Sequence, residues 1–379
     1  MQKAYKLHGV HRHYDWGGNE FIPKLMNVNN ETKKPFAEYW MGAHVSAPAL
    51  IDTKEGPVSI NEFGSIPYLF KVLDVAKMLS IQVHPTKENA LIGFELEQQA
   101  GIAIDASNRN YKDQNHKPEV MVALSDFWLL HGFLAPELLI ERLQAYDCFH
   151  SLLTHFNGTD YQGLYQYFMQ LPSQAADKIL KPLLIEAVTA VKNGEVDKTH
   201  PHWWANKYYN GVVPESNIDK GIFSIYILNI VSVKKYQGVF QGAGLLHAYL
   251  EGQNIELMAN SDNVLRGGLT PKHIDIDELL KHVNFVPTYP EVLSGDNINI
   301  NETIYPCPVP DFGLSKIVLK GTESYTIKSL HIEMVLVIEG EVDIDGQVYK
   351  AGEVAMVKPL QEITLIGIQP AVMFKSFVP

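Results

Sequence analysis

Apolar residues in the first third of the chain fall in short runs. Between Pro57 and about Leu130 the segments Tyr68–Val72, Leu79–Val83, Val120–Leu124 and Phe127–Leu130 are each too short for a helix, and turn residues bound them. This pattern predicts strands. It changes at Pro136, where APELLIERLQAY sets a proline in a helix's first turn and repeats Leu139, Leu143 and Tyr146 at spacings of four and seven. The next periodic segment, ADKILKPLLIEAVTAVKNG, lines Leu184, Val188 and Val191 along one face before the stop signal Asn193-Gly194. Residues 134–205 therefore read as a helical insert. After Gly221 the run IFSIYILNIVSV is β-branched and continuous, which predicts a buried strand, and turn residues follow from Lys234 to Gly244. From about residue 290 the pattern alternates, and VLVIEGEVDIDGQVYK places Asp345-Gly346 between two such stretches as a two-residue hairpin.

The order of elements, strands then helices then strands twice over, predicts a mainly β protein with a helical insert. A small antiparallel barrel interrupted by helices and followed by a second barrel accounts for it. A chain of 379 residues has room for two or three such units. Its 46% hydrophobic and 20% charged content is that of a folded globular chain. The formal net charge of −12 argues against nucleic acid, whose phosphates call for clustered Lys and Arg. An anionic small molecule remains open, provided a local basic pocket exists. Cys148 and Cys307, the only two cysteines, form no C-x-x-C pair, so neither a disulfide framework nor a thiolate zinc site is expected. The first residues, MQKAYKLHGVHRHYDWGG, lack the apolar stretch of a signal peptide, and no run of about 18 apolar residues occurs, which predicts a cytoplasmic protein without a membrane span.

Three segments carry the candidate chemistry. In SIQVHPTKENA, Gln82 and His84 stand two apart and share one strand face, a metal-ligand spacing, although a lone strand-end histidine is also a common packing residue. In YKDQNHKPEVMVAL, the polar residues Asp113, His116, Lys117 and Glu119 come immediately before an apolar strand. A solvated surface loop is the plainer explanation for a single carboxylate there. The third segment, GAGLLHAYLEGQNIELMANSDNVLRGGLTPKHID, holds His247, Tyr249, Glu251, Asn254, Glu256, Ser261, Asp262, Asn263, Arg266 and Lys272 among glycines, a density that turns alone can also produce. Gln82, His84, Glu119 and His247 together offer two imidazoles and two oxygen donors. That set suits a catalytic zinc with open positions better than a closed structural site.

The segments YDWGG, AEYWMGAH, PYLFKVLDVAKMLSIQVHPTKENA, NHKPE and HAYLEGQNIELMANSDNVLRGGLTPKHID closely resemble the type I mannose-6-phosphate isomerases, a zinc-dependent family of cupins, from about residue 10 to 275. The resemblance implies two cupin-like jelly-roll barrels plus an α-helical domain. Residues 1–133 and 206–289 would form the catalytic zinc-binding barrel, 134–205 the helical insert, and 290–379 a C-terminal barrel. It also implies Gln82, His84, Glu119 and His247 as zinc ligands, Arg266 as the catalytic arginine, and Lys71, Lys117 and Lys272 as pocket lysines. One departure lies in VFQGAGLLHAY, where Gln241-Gly242 replaces a common proline or acidic residue; it bears on loop shape and not on the ligands. The C-terminal segments EMVLVIEGEVDIDG and GEVAMVKP contain no histidine, so that barrel is expected to be metal-free.

The implied reaction interconverts mannose 6-phosphate and fructose 6-phosphate through an enediol. Glu256 is the first candidate for the base, with Asp262 or His116 as alternatives. Lys272 and Lys117 are the first candidates for the phosphate, and Ser80 can add a hydroxyl. The competing readings are a sugar-phosphate-binding cupin without turnover, an isomerase of another phosphorylated sugar, and a metal-dependent oxygenase. A small-molecule sugar phosphate, with neither nucleic acid nor membrane, is the expected partner.

Overall fold

The computed structural model describes residues 2–379, and the protein is mainly β with helices gathered in one region. Among the described residues the strands form sheets of nine, ten and four. The ten-stranded sheet is organised around one 13-residue strand, His247–Ala259. One edge of this strand's second half pairs with Tyr68–Val75, from Gly252↔Val75 to Ala259↔Tyr68. Its other edge pairs with Glu119–Ala123 and, nearer its start, with Phe127–Phe133.

A single flat strand cannot serve so many partners, and the chain bends at a bulge between Tyr249 and Glu251. Gly252 follows with φ 127°, and a Cβ there would lie 2.6 Å from the Phe127 ring. Glycine is what the bend requires. The bend separates His247, paired across from Gln82, from the Asn254–Met258 stretch paired with Glu119–Ala123.

The Tyr68–Val72, Val120–Leu124 and Phe127–Leu130 expectations correspond to strands Tyr68–Val75, Glu119–Ala123 and Phe127–Phe133. Leu79–Val83 shortens to Ile81–Val83. Within the region read as strands and turns, however, Lys87–Gln99 is a helix. It lacks an apolar stripe, with Leu91, Ile92 and Leu96 left exposed, so periodicity could not reveal it. Its marker is local: the Thr86 hydroxyl accepts the Asn89 N–H at 3.2 Å, an N-cap.

Helices Pro136–Gln144 and Ser173–Lys192 match the periodic segments, and Pro136 occupies the first turn. Helix Pro201–Tyr208 runs just past residue 205. The run after Gly221, read as one buried strand, divides into a helix, Gly221–Ile227, and a strand, Leu228–Val233. Every residue of that helix is buried, so its apolar positions carry no helical period to separate it from a strand. Leu228–Val233 pairs antiparallel with Phe127–Phe133, so the helical region is one long excursion between paired strands. Leu139, Leu143, Leu184, Trp204 and Phe223 pack with Ile81 and Leu265 in a single apolar cluster, which seats the helices on the sheet that carries the site.

Both ends of the chain meet in the nine-stranded sheet, where Ala4–His8 pairs with Val354–Val357 and extends to Leu50–Thr53 and Gly56–Ser59. The Asp345-Gly346 hairpin forms as expected: both residues have positive φ, 54° and 82°, joining Glu341–Ile344 to Gln347–Lys350. No helix among the described residues is long and apolar enough to cross a membrane.

Inside this sheet Glu302 is bonded to Ser315, to Tyr325 and, at 2.8 Å, to Lys375. The buried Glu333 nearby has an Oε2 without a partner among the described residues. Burial pushes its carboxyl up to about 7, with Lys375 opposing and Glu302 assisting. A raised carboxyl pKa means the folded chain holds a proton that the unfolded chain releases. Its stability is therefore greatest below the unfolded value and falls as pH rises towards 7, by on the order of 3 kcal/mol at most. Glu333→Gln should flatten this dependence, gaining more Tm over wild type at about pH 8 than at about pH 5. Parallel Tm–pH curves for the two proteins would remove Glu333 as the cause.

Candidate metal centre and its pocket

His84, Glu119 and His247 come from three different strands or strand ends and are all fully buried. His84 Nε2 lies 3.4 Å from Glu119 Oε1, and His247 Nε2 lies 3.4 Å from Glu119 Oε2. One donor atom from each residue falls within 4.8 Å of the others. The tautomers follow from the opposite sides of the rings. His84 Nδ1 donates to the Asn263 carbonyl at 2.8 Å and His247 Nδ1 to the Leu245 carbonyl at 2.9 Å. A carbonyl only accepts, so each Nδ1 carries the proton and each Nε2 presents a lone pair.

Both Nε2 atoms and Glu119 Oε2 are buried without a hydrogen-bond partner among the described residues. Three electron-pair donors turned towards one point and away from water repel one another unless a cation lies between them. Their protonation suits that role. Burial, with Lys117 assisting, lowers His84 to about 4, keeping its imidazole neutral at physiological pH. Burial alone would raise Glu119, but the opposing causes, the charge of Lys117 first among them, outweigh it and hold the carboxylate well below its ordinary value. These residues fit a borderline-soft divalent ion such as zinc.

The scaffold behind the imidazoles explains several polar residues that the sequence singled out. The Asn263 side chain accepts the Lys112 N–H at 2.7 Å and donates to the Asp113 and Asn115 carbonyls at 2.8 and 2.9 Å. Asp113 in turn accepts the Ser261 hydroxyl and the Asp262 N–H. The loop before Glu119 is thus locked to the loop that orients His84.

A pocket of about 750 Å³ opens beside this centre. Gln82, which pairs across from both His247 and Arg266, lines it, as do Ser80, Lys71, Lys117, Glu119 and Glu256. Arg266 and Lys272 form another part of its wall. The cations differ in kind. Lys117 sits 3.1 Å from Glu119, and Lys71 donates to Glu256 at 2.9 Å with Glu38 at 3.8 Å. Burial opposes the Lys71 charge, but Glu256 and Glu38 outweigh it and raise its pKa. Arg266 and Lys272 have no carboxylate partner among the described residues; burial lowers both, and Arg266 adds to the lowering of Lys272. The half-buried Arg266 and the exposed Lys272 thus leave two positive charges without a counter-ion on one stretch of the pocket wall.

Both Glu256 oxygens are engaged, Oε2 by Lys71 and Oε1 by the Tyr249 hydroxyl at 2.9 Å. Burial raises its pKa against the opposing charge of Lys71. Asp262 and His116, the alternative bases, are not in the pocket lining: Asp262 Oδ2 lies 3.2 Å from His44 Nε2, and His116 is bonded to Asp311 at 3.0 Å. Sequence reasoning missed Trp16, Lys77, Lys207 and Tyr208, which complete the wall from the N-terminal loop, the 76–80 loop and the helical region. No spacing rule links such distant segments. Tyr249 lay within the dense third segment, but only its contact with Glu256 distinguishes it.

A buried His–Glu–His cluster beside a pocket lined by unpaired cations, carried on a mainly β fold, defines a metal-site protein. The sequence profile of the type I phosphomannose isomerase catalytic domain matches residues 4–135. The mannose-6-phosphate isomerase of Salmonella typhimurium is 36% identical over 377 residues, covering 93% of this chain and 94% of its own. That of Escherichia coli is 34% identical, covering 98% and 97%. The chain belongs to the mannose-6-phosphate isomerase family. Among solved structures, a zinc-bound mannose 6-phosphate isomerase matches with a TM-score of 0.86 at 31% identity over the whole of both chains. The Salmonella typhimurium enzyme bound to fructose 6-phosphate and zinc matches equally, with a TM-score of 0.86.

If the cluster is the metal site, His84→Ala and His247→Ala should each lose the bound ion while far-UV circular dichroism stays near wild type, because a core of this size does not depend on one ion. Wild type should carry about one tightly held zinc per chain. Variants that keep stoichiometric zinc by elemental analysis would exclude those residues.

Proposed function

We propose that this protein interconverts mannose 6-phosphate and fructose 6-phosphate, with zinc held by Gln82, His84, Glu119 and His247. The observation that carries this reading is the unpartnered donor set of His84, Glu119 and His247, whose Glu119 lines the same pocket as the unpaired cations Arg266 and Lys272. We read the fold as two cupin-like jelly-roll barrels with a helical insert. Residues 1–133 and 206–289 form the catalytic unit, 134–205 the insert, and 290–379 the metal-free barrel, whose nine-stranded sheet also takes in Ala4–His8, Leu50–Thr53 and Gly56–Ser59 from the first unit. The two free cysteines and the acidic composition suit a cytoplasmic enzyme of carbohydrate metabolism.

The reaction moves a proton between C2 and C1 of the sugar, so a base must take it and a cation must hold the charge left on the enediolate oxygens. Glu256 is the base: its burial raises a carboxyl towards the range useful for proton transfer, and Lys71 and Tyr249 fix its orientation. Arg266 holds the developing oxyanion, because a guanidinium keeps its charge even when partly buried. When bound, zinc supplies Lewis-acid polarisation of the substrate oxygens, worth several kcal/mol. Gln82, being neutral, leaves that ion more positive than a second carboxylate would. Lys272 binds the phosphate. Lys117 also lines the pocket, but its charge is committed to Glu119.

Steady-state kinetics with mannose 6-phosphate test these roles. Arg266→Ala should lower kcat by at least about a hundredfold with a much smaller change in KM, the signature of charge stabilised only in the transition state. Lys272→Ala should mainly raise KM, since a contact remote from the reacting carbons is made equally in ground and transition states. Both variants near wild type would defeat the reading. A raised KM alone for Arg266→Ala would move it to the phosphate.

A further inference from the structure

The loop that carries Lys272 leaves strand Leu265–Gly268 and runs along the pocket wall as Leu269, Thr270 and Pro271. Its shape is not that of an ordinary turn. Leu269 has φ 54°, a left-handed conformation unusual for a leucine and sustained only where neighbouring contacts impose it.

Those contacts converge on Asp219, in the connection between helices Pro201–Tyr208 and Gly221–Ile227. Its Oδ1 accepts the Leu269 N–H at 2.9 Å and the Gly221 N–H at 2.7 Å. Its Oδ2 accepts the Thr270 N–H at 2.9 Å and the Tyr208 hydroxyl at 3.3 Å. The Asp219 backbone is held too, its N–H donating to the Tyr209 hydroxyl at 2.8 Å. Two glycines permit the approach. A Cβ on Gly268 would lie 2.4 Å from Gly221 Cα, and one on Gly221 would lie 2.5 Å from the Leu269 nitrogen. From Thr270 the order passes to Lys272, whose N–H donates to the Thr270 hydroxyl at 3.1 Å.

We propose that Asp219 is a positioning residue for anion binding: it clamps the Leu269–Lys272 loop onto the helical region and so presets Lys272 for the substrate's phosphate. The proposal rests on the sugar-phosphate reading above. Asp219 touches no substrate and does not itself line the pocket. It acts because a carboxylate offers acceptors on both oxygens, which match donors on the loop on one side and on the helices on the other. An unclamped loop would have to be ordered by each incoming phosphate, and that ordering would be subtracted from binding.

Asp219→Asn keeps the shape but replaces one acceptor with an N–H₂ group facing donors. It should raise KM for mannose 6-phosphate by about tenfold, with kcat changed far less, and weaken competitive inhibition by inorganic phosphate by the same factor. The double variant with Lys272→Ala should bind no worse than Lys272→Ala alone, because both substitutions remove the same contact. A role in stability alone would lower Tm and leave KM, phosphate inhibition and additivity untouched. If Asp219→Asn does not fold, Thr270→Val removes only the last link and should show the same non-additivity. Additive losses, or an unchanged KM, would overturn the proposal while Lys272→Ala still upholds the phosphate reading. An Lys272→Ala variant that binds phosphate like wild type would overturn both. Calorimetric titration with inorganic phosphate reads the clamp even in a protein that shows no turnover.

Discussion

A single buried carboxylate sets the terms for the site. Glu119 is almost wholly removed from water, and a charge so placed is destabilising by several kcal/mol unless every side of it is compensated. Lys117 supplies one positive neighbour. The two imidazoles do not: in the tautomer that the Asn263 and Leu245 carbonyls impose, their Nε2 lone pairs face the carboxylate, which leaves the rest of the compensation to a cation between the three donors. Asn263 is held in turn by the loop that leads into Glu119. The arrangement closes on itself, and much of the polar content of three distant segments is spent in closing it.

The same accounting separates the pocket's positive charges into two groups. Lys71, Lys117 and Lys207 are neutralised by carboxylates, whereas Arg266, Lys272 and Lys77 have no carboxylate partner among the described residues. A chain with a net charge of −12 can therefore hold a phosphorylated ligand, because attraction depends on the few charges left unpaired within a Debye length and not on the total.

How much of this the sequence discloses depends on whether the information is local. The spacing of Gln82 and His84 on one strand face and the run from His247 to Lys272 were legible, because alternation and composition are properties of neighbouring residues. The Asp345-Gly346 turn was legible for the same reason. Helix Lys87–Gln99 was not, since its signal is a single capping threonine and its surface has no stripe. The helix opening at Gly221 was masked by uniform burial. Lys207 and Tyr208 reach the pocket only because the insert folds back over the sheet, and Glu251 secures Lys207 there alongside Lys198, a pairing across more than forty residues. The separation of Glu256 from Asp262 as candidate bases likewise needed coordinates, for the two lie six residues apart and face different surroundings.

The pairing of Ala4–His8 with Val354–Val357 reaches beyond the site. Lys6 and Glu353, 347 positions apart in the chain, meet at 2.6 Å. During synthesis the first strand leaves the ribosome long before its partner exists, and its hydrogen-bonding edge must wait unpaired through most of translation. The order of closure is thereby fixed: sheet and insert can condense as they emerge, but the seam between Ala4–His8 and Val354–Val357 is necessarily late, and such non-local pairing is slow. A chain halted before residue 354 would carry every residue of the pocket lining and still leave that edge open to other chains.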